Sequence, residues 1–263
     1  MRGPPVSTAS LTADLRALGV RPGATMIVHS SLSSLGWVIG DAPAVVAALS
    51  AALGPEGTLV MPTHSGGLSD PASWVAPPVP LEWHGRIRAE MPAYDPAITP
   101  TRIMGAIAES FRTHPGARRS AHPRQSCAAR GPHAAFVTDD HALDCAMGER
   151  SPLARLCDLD ADVLLLGVGH DRNTSLHLAE YRAQWPSKRH ATFASPVRID
   201  GTRHWLEVDD LDFDDEDFAR LGGDFERDTG AVLVGTVGAA AARLMRQRAL
   251  VDYAADWMGR FRR

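Results

Sequence analysis

The chain has 263 residues, of which 44% are hydrophobic and 22% are charged, and its formal net charge at pH 7 is −4. This composition is sufficient for a sizeable hydrophobic core and excludes a disordered chain. It also argues against a nucleic acid as a partner, because binding to a phosphate backbone requires an excess of positive charge.

Two helix patterns and two buried strand patterns alternate in the first quarter of the chain. Because the strands are separated by a helix, they predict an α/β fold, which we describe as a layered α/β sandwich with crossover helices. The elements predicted further along the chain are a short helix, a second helix, an apolar strand followed at once by a helix, and a terminal strand and helix. In chain order, the predicted elements lie at 8–18 (capped by Ser7 or Thr8), 25–30, 42–53, 57–63, 83–88, 104–112, 163–169, 174–182 (capped by Asn173 or Thr174) and 232–257.

The proline-rich segment 64–100 interrupts this alternation and shows little periodicity. Long irregular stretches within a domain are usually functional or mobile, so we interpret it as a binding loop or lid. No linker composition follows it. We therefore predict a single domain over residues 1–263 with a long irregular insertion near 64–100.

Cysteine content and apolar runs bear on the compartment. Cys127, Cys145 and Cys157 are too few for a disulfide framework, which favours a reducing compartment. The first residues contain no apolar core of a signal peptide, and no apolar run reaches the ~20 residues that cross a bilayer. We expect a cytoplasmic protein without a membrane partner.

The charge is distributed unevenly, because residues 207–226 contain ten acidic side chains and one arginine. Phe213, Phe218 and Phe225 are interleaved with the acids, which predicts a segment that packs on the core and holds carboxylates in fixed positions; the alternative is a solvated acidic face. Such carboxylates would attract a polycation, whereas an anionic ligand would bind to the more basic remainder.

Two segments at predicted strand ends carry candidate chemistry. The serine-rich turn HSSLSSLG, residues 29–36, can direct backbone N–H groups and hydroxyls toward an anion, or it is simply a turn. In NTSLHLAE, His177 and Glu180 lie three residues apart on one helical face, where a carboxylate can orient an imidazole that takes up a proton. The alternative is an ordinary surface pair.

Other segments give weaker signals. Arg118, Arg119 and Arg124 surround RSAHPRQS and suit phosphate, although a solvated basic loop is an equal alternative. No GxSxG or HExxH motif occurs, so a serine hydrolase or a metal site is not favoured, and we predict no metal. The nearest set of metal-ligand types lacks a metal-site spacing; its members are His133, His141, Cys145 and Cys157.

Several of these segments, in this order, resemble the aminoglycoside 3-N-acetyltransferase family of antibiotic acetyltransferases. The resemblance is carried by HSSLSSLG, GTLVMPTHS, TRIMGAIAESFRTHPGARRSAHPRQSCAARG, SPLARL and VLLLGVGHDRNTSLHLAEYRA, from about His29 through Arg182. It implies an α/β fold distinct from the GNAT acetyltransferases, and direct acetyl transfer from acetyl-CoA to the 3-amine of an aminoglycoside.

The resemblance also implies roles for individual residues. His177 matches the general base and Glu180 its supporting carboxylate, and we add Thr174 as a candidate for stabilising the oxyanion. The expected CoA-binding residues are Ser30, Ser31, Leu32, Ser33, Ser34, Leu35, Gly36, Arg119, Ser120 and His122. From the charge distribution, rather than from the resemblance, we expect Glu180, Asp209 and Asp210 to bind the acceptor ammonium groups. Asp95, Asp171 and Glu90 are further candidates, with an ordinary surface acid as an equal alternative for each.

Two alternatives remain open at this point. One is acetyl transfer to an amine that is not an antibiotic, and the other is a CoA or polycation binder without turnover. We expect a monomer or a homodimer.

Overall fold

Strands with two buried faces form the centre of the structure, of which the computed structural model describes residues 4–263. In Thr25–Ser30, Met26 packs on one side of the sheet and Ile27 on the other. Asp162–Leu166 alternates in the same way. Because both faces are apolar, helices cover both, and the result is a three-layered α/β sandwich, as predicted.

The strands of the described chain form one large and one small sheet. They are β1 (Thr25–Ser30), β2 (Thr58–Pro62), β3 (Arg118–Arg119), β4 (Cys127–Arg130), β5 (Asp162–Leu166), β6 (His190–Ile199), β7 (Thr202–Leu211), β8 (Val232–Val237) and β9 (Ala240–Arg246). The large sheet has the order β3-β4-β2-β1-β5-β9-β8, and β6 pairs with β7 alone. Strand β1 is parallel to both β2 and β5, whereas the outer pairs are antiparallel. The carboxyl ends of three central strands therefore meet at one edge.

The helices of the described chain pack on the two faces of the large sheet, except the one at His84–Glu90, which has no buried residue and lies in the proline-rich insertion. They are α1 (Thr8–Leu18), α2 (Asp41–Leu53), α3 (His84–Glu90), α4 (Gly105–Arg112), α5 (Ala134–Thr138), α6 (Pro152–Asp158), α7 (Ser175–Arg182), α8 (Phe218–Thr229) and α9 (Gln247–Phe261). One core contains side chains of α1, α2 and α4, and the other contains side chains of α5 to α9. None of the helices within residues 4–263 has the length and hydropathy needed to span a membrane.

The proline-rich insertion lies against the β6–β7 hairpin. Ser195 Oγ donates to the carbonyl of Leu68 at 2.7 Å, and Arg203 Nε donates to the carbonyl of Met91 at 2.7 Å. The short helix predicted at 83–88 is present as α3. The insertion is thus attached to a separate ribbon by hydrogen bonds to its backbone.

Most predicted elements are confirmed within one to three residues, but β3, β4, the β6–β7 hairpin, α5, α6 and α8 were not predicted. The tail contains a two-stranded hairpin rather than a single strand before α9. A usable signal for β6–β7 was present, because Asp200 and Gly201 both have positive φ, and Asp-Gly favours such hairpin turns. Only part of each strand is buried, so the apolar alternation that identifies a strand is weak there.

Candidate active site

Two cavities open at the edge where β1, β2 and β5 end. The larger, about 720 Å³, follows the serine-rich turn after β1, and we call it the serine groove. The smaller, about 340 Å³, contains His177, and we call it the His177 cavity. Both are lined by Met104, Arg172 and Thr174, so they meet at the start of α7. Crevices at the carboxyl ends of parallel strands are where α/β proteins bind ligands.

The serine-rich turn lines the serine groove only in part. Ser30, Ser31, Leu32, Ser33 and Gly36 are on its wall, together with His29 from the end of β1. The other two predicted residues face the opposite way. Ser34 Oγ donates to the carbonyl of Gly167 at 3.1 Å, and Leu35 is fully buried in the core, so neither is placed to contact a ligand.

The groove also has a wall that sequence reasoning did not assign. Ile103, Met104, Gly105 and Ala106 bring the first turn of α4 to it. Gly105 has a φ of +83°, a conformation that residues with a side chain rarely adopt. Arg172 adds a positive charge where the groove meets the His177 cavity. Hydroxyls, a helix start and an arginine are together suited to an anionic ligand.

His177 lies on the wall of its cavity, and contacts with a glutamate and two phenylalanines fix the orientation of its ring. Its Nδ1 is 2.5 Å from Glu180 Oε2, and its ring packs between Phe213 and Phe218 with centroid distances of 5.0 and 4.9 Å. The imidazole is 13% exposed, whereas the Glu180 side chain is fully buried. Because Nδ1 is occupied, Nε2 is the ring nitrogen left for a ligand.

Glu180 is itself supported by a residue near the end of the chain. Arg262 Nη1 donates to Glu180 Oε1 at 2.7 Å, and the backbone N–H of Asp214 donates to the same oxygen at 2.9 Å. Arg262 also pairs with Asp217 at 2.6 Å. Burial alone would lower the pKa of Arg262, but its hydrogen bonds to Asp217 and Glu180 outweigh burial and raise it. The carboxylate under His177 is therefore fully hydrogen-bonded and charge-compensated.

The rest of the His177 cavity combines two carboxylates with uncharged polar and apolar groups. Asp171 and Asp215 line it, and Asp171 also pairs with Arg172 at 3.2 Å. Its remaining lining residues are His64, Gln125, Met147 and Asn173, in addition to the residues already named. Thr174 makes no capping hydrogen bond with its side chain, whereas Asn173 Oδ1 accepts from the N–H of Ser175 at 3.3 Å. Thr174 thus occupies the N-cap position of α7, as one of the two predicted caps, but the side chain that bonds to the start of the helix is that of Asn173.

The structure does not bring Arg119, Ser120 and His122 to either cavity. Arg119 donates to Thr63, Ser126 and neighbouring carbonyls, and Ser120 Oγ bonds with His141 at 2.9 Å. His122 Nδ1 accepts the backbone N–H groups of residues 124 and 125. Their polar atoms are hydrogen-bonded within the protein, and CoA binding by these residues stays a prediction.

The flanking arginines, Arg118 and Arg124, are also occupied. Arg118 pairs with Asp139 at 2.6 Å, and the guanidinium of Arg124 lies 4.0 Å from the ring centroid of Phe193. The basic cluster seen in the sequence is thus a set of separate structural contacts, and the positive charge on the groove comes from Arg172.

Several predicted acceptor ligands likewise lie elsewhere. Asp210 is 2% exposed and accepts from the Tyr181 hydroxyl at 2.6 Å and from the N–H of Ala146 at 2.8 Å. Asp209 accepts from the Thr192 hydroxyl at 2.6 Å. Asp210 is buried, whereas Asp209 is exposed and faces Thr192 across the hairpin, and neither lies on the wall of the His177 cavity.

Three further acidic candidates are also not on the cavity wall. Asp95 caps its own loop by accepting from the N–H of Ala97 at 2.8 Å, and Glu90 pairs with Arg86 at 3.0 Å. Glu180 lies beneath His177 and is fully buried, so it supports the base but cannot contact an acceptor. Among the predicted acids, Asp171 alone is on the wall of the His177 cavity.

The acidic run is explained by packing more than by ligand attraction. Phe218 and Phe225 are buried, and several carboxylates contact partners within the protein, as predicted for a packed segment. Asp215 is the member that lines the His177 cavity, and sequence reasoning had not singled it out. Its neighbours are indistinguishable from it in sequence, so no local signal could have identified it.

The sequence-derived set of metal-ligand types does not form a centre. His141 is hydrogen-bonded to Ser120 and to the carbonyl of Ala146, and Cys157 is buried in the core. Among residues 4–263, no group of three or more His, Cys, Asp or Glu side chains is arranged to hold a metal ion.

Comparison with known proteins agrees with this geometry. The family described as aminoglycoside 3-N-acetyltransferase matches residues 27–259. The SPbeta prophage-derived aminoglycoside N(3')-acetyltransferase-like protein YokD of Bacillus subtilis (strain 168) is 45% identical over 254 residues, which are 96% of this chain and 92% of that protein. Its crystal structure superposes with a TM-score of 0.96 at 43% identity, covering 98% of this chain and 95% of the other.

Two ligand-bound structures are similar over almost the whole chain. AAC-VIa bound to sisomicin has a TM-score of 0.88 at 34% identity, covering 97% of this chain and 98% of that one. AAC-IIIb in a binary complex with CoASH has a TM-score of 0.87 at 31% identity, covering 98% and 97%. The match spans the strands, the serine-rich turn and the helix of His177, and the chain therefore belongs to the aminoglycoside 3-N-acetyltransferase family.

Proposed function

We propose that the chain transfers the acetyl group of acetyl-CoA directly to the 3-amino group of an aminoglycoside, with His177 as the general base. As a member of its family it is an acyltransferase. The observation that carries the proposal is the junction of the two cavities at Thr174, beside an imidazole whose Nδ1 is held by a buried carboxylate. A donor in one cavity and an acceptor in the other would meet at that point.

The serine groove suits the donor. Its volume of about 720 Å³ and its wall of serine hydroxyls, the first turn of α4 and Arg172 fit an elongated ligand with phosphate groups. AAC-IIIb, which shares this fold, has been crystallised with CoASH. When bound, acetyl-CoA would supply an activated acetyl group as a thioester.

The His177 cavity suits a polycationic acceptor. Asp171 and Asp215 offer carboxylates for ammonium groups, and Phe213 and Phe218 offer apolar faces for a sugar ring. The related AAC-VIa has been crystallised with sisomicin, an aminoglycoside. Acetylation of an amine removes a positive charge from the drug, which accounts for resistance by modification.

His177 would perform the proton transfer that the reaction requires. An ammonium group has no lone pair and cannot attack a thioester, so it must first lose a proton to a base. The nitrogen loses a second proton as the C–N bond forms and the C–S bond breaks, and that proton goes to the departing CoA thiolate. His177 Nε2 faces the acceptor side once Nδ1 is held by Glu180, and it accepts the first of these protons. Glu180 then stabilises the imidazolium, and Arg262 keeps the carboxylate itself in place.

Thr174 would act on the other side of the reacting carbon. It lines both cavities at their junction, and its hydroxyl is not used as a helix cap. A hydroxyl and nearby backbone N–H groups at the start of α7 can donate to the negative charge that develops on the acetyl oxygen.

The test is release of free thiol from acetyl-CoA by purified protein, across 4,5- and 4,6-disubstituted aminoglycosides and apramycin. We expect turnover with at least one drug, and loss of most of that rate in His177→Ala with CoA affinity retained. His204→Ala is the matched control, because His204 is exposed on β7 away from both cavities. NMR of the product should show the acetyl group on the 3-amine.

Other outcomes separate the alternatives. Saturable CoA binding with turnover only on other amines would replace the aminoglycoside as substrate. Binding of CoA or of polycations without any turnover would indicate a binding protein and would overturn the proposal.

The assembly and compartment follow as further parts of the proposal. We expect a monomer or a homodimer that works in the cytoplasm, where acetyl-CoA is produced. Light scattering after size exclusion measures the former, and cell fractionation the latter. A larger assembly or a secreted protein would contradict them.

A further inference from the structure

Two side chains on the wall of the His177 cavity have polar atoms without a partner. His64 Nε2 and Gln125 Oε1 are shielded from solvent and form no hydrogen bond. A buried donor or acceptor that is left unpaired loses its hydration without a compensating hydrogen bond and destabilises the protein. Unpaired groups that border a cavity are therefore candidates for contact with whatever fills it.

The backbone fixes both residues at this place. His64 follows β2 and Gln125 precedes β4, and these strands are paired through Pro62 and Cys127. The carbonyl of His64 accepts the N–H of Arg102 at 2.8 Å, and the N–H of Gln125 donates to His122 Nδ1 at 3.0 Å. Their main chains are thus anchored while their side chains are left for a ligand.

Both side chains are uncharged in the cavity at neutral pH. Burial, followed by the nearby His177 and His29, lowers the pKa of His64 to about 3. Gln125 has no charge in any case. This wall differs from the carboxylates of Asp171 and Asp215, which belong to the same cavity.

An uncharged donor and acceptor pair suits a hydroxyl group better than an ammonium group. An ammonium ion loses strong hydration on entering a cavity, and a neutral wall offsets little of that loss. A hydroxyl donates one hydrogen bond and also accepts hydrogen bonds, which matches an imidazole nitrogen next to an amide oxygen. A cavity that offers both kinds of wall would select an acceptor that has both kinds of group.

We propose that His64 and Gln125 form an uncharged subsite for a hydroxyl group on the ring that carries the reacting amine. The subsite makes the enzyme prefer hydroxylated cyclic amines to amines that lack hydroxyls. This inference rests on the proposed function, because it assumes that the acceptor occupies the His177 cavity. Sites built to bind a hydroxyl reject analogues without it more strongly than apolar pockets reject an added one.

The test compares two ligands that have the same diamine spacing. 2-Deoxystreptamine and cis-1,3-diaminocyclohexane differ in the ring hydroxyls, and each is measured by calorimetry and as a competitor of sisomicin. We expect the wild-type protein to bind 2-deoxystreptamine at least about 10-fold more tightly, in line with one well-made hydrogen bond. Gln125→Met and His64→Phe should each remove most of that preference.

Kinetics with sisomicin provide the second readout. Gln125→Met should raise KM by about 10-fold and change kcat little, because the contact is made in the ground state and the transition state alike. The KM ratio between variant and wild type should be the same at 50 and 300 mM salt. For Asp215→Asn the KM ratio should be smaller at 300 mM than at 50 mM salt, because salt screens a charge contact at the open side of the cavity.

Gln247→Met is the control for loss of a buried glutamine. Gln247 also has an unpaired Oε1, but it lies at the start of α9, outside both cavities. It should lower stability and leave KM unchanged. Equal binding of the two diamines by the wild type, or a Gln125→Met effect that disappears in salt, would overturn the subsite. Absence of turnover with every aminoglycoside would instead overturn the proposed function, and the calorimetry would still test the subsite.

Discussion

His170 and His177 lie seven residues apart on either side of the start of α7, and each is hydrogen-bonded to a glutamate that an arginine also contacts. His177 pairs with Glu180 and Arg262, as described above. His170 Nε2 is 3.0 Å from Glu226 Oε1, and Arg243 Nε donates to the same oxygen at 2.7 Å. The two clusters are chemically alike, yet one lies on a cavity and the other does not.

The difference lies in which member of each cluster reaches solvent. In the His177 cluster the imidazole is 13% exposed, while Glu180 and Arg262 are at most 6% exposed. In the His170 cluster the imidazole is 4% exposed, while the glutamate and arginine are 26% and 31% exposed. A buried carboxylate behind an accessible imidazole can support proton transfer, whereas a sealed imidazole under surface charges can only hold elements together. Pairing of His with Glu is thus insufficient evidence for catalysis.

The largest expected effect comes from replacing each histidine with glutamine. His177→Gln should lower kcat by about 10³-fold, within the range for loss of a general base, and leave the melting temperature almost unchanged. His170→Gln should lower the melting temperature and leave kcat within about 3-fold of wild type. Thiol release and calorimetry measure the two quantities on the same preparations. Equal rate losses would show that the clusters do not differ in function.

Glu180→Gln should have the next largest effect. An amide can donate to His177 Nδ1, which places the imidazole proton on Nε2 and leaves no base there, so we expect kcat to fall by about 10²-fold. Arg262 remains paired with Asp217 and should keep the end of the chain in place. Thiol release measures the rate. A variant with wild-type kcat would show that Glu180 only fills space.

Packing around the His170 cluster can be tested at two adjacent glycines of α8, Gly222 and Gly223. A Cβ added to Gly222 would lie 2.0 Å from Cγ of His170, whereas a Cβ on Gly223 would meet nothing within 4 Å. Gly222→Ala should therefore destabilise the fold by about 2 kcal/mol through overpacking, and Gly223→Ala should stabilise it by about 0.5–1 kcal/mol through helix propensity. Denaturant unfolding measures both. The same sign for the two substitutions would contradict close packing of α8 on His170.

A contrast between buried and exposed strands shows how much of the fold could be predicted from the sequence. Strands such as β1 and β5 were predictable because both faces of the sheet are buried and the segments are continuously apolar. The β6–β7 hairpin was not predicted, because it is half exposed and its side chains follow no strict alternation. Local patterns thus identified the continuously apolar strands and the periodic helices, and they missed the half-exposed hairpin.

For the candidate site, the limit was distance along the chain. The contact between His177 and Glu180 was predictable, because residues three positions apart lie on the same face of a helix. Arg262 is 82 residues from Glu180, and Gln125 lies within the segment RSAHPRQS, whose arginines drew attention as possible phosphate ligands. The contacts of the arginines in and next to that segment could not be predicted, because a sequence does not reveal that Thr63, Asp139 or Phe193 contacts them. Tertiary partners decide which polar residues stay available.

The smallest effect concerns protonation of three buried histidines, His29, His141 and His170. Burial lowers the pKa of His29 to about 3 and that of His141 to about 4, and burial also lowers the pKa of His170 despite its contact with Glu226. Below the ordinary histidine value of 6.5, the unfolded chain takes up protons that the folded chain refuses. The stabilising contribution is therefore complete above pH 6.5 and is lost as the pH falls toward 4 and then 3.

Between pH 7 and pH 5.5 this linkage should lower the free energy of unfolding by about 1 kcal/mol for each of His29 and His141. His141 is the sharpest probe, because Ser120 Oγ and the carbonyl of Ala146 contact both ring nitrogens and suit the neutral ring. His141→Gln should be less stable at pH 7 and should lose about 1 kcal/mol less than wild type on acidification, as measured by urea unfolding at the two pH values. An unchanged pH dependence would mean that burial does not lower the pKa of His141 in the folded protein.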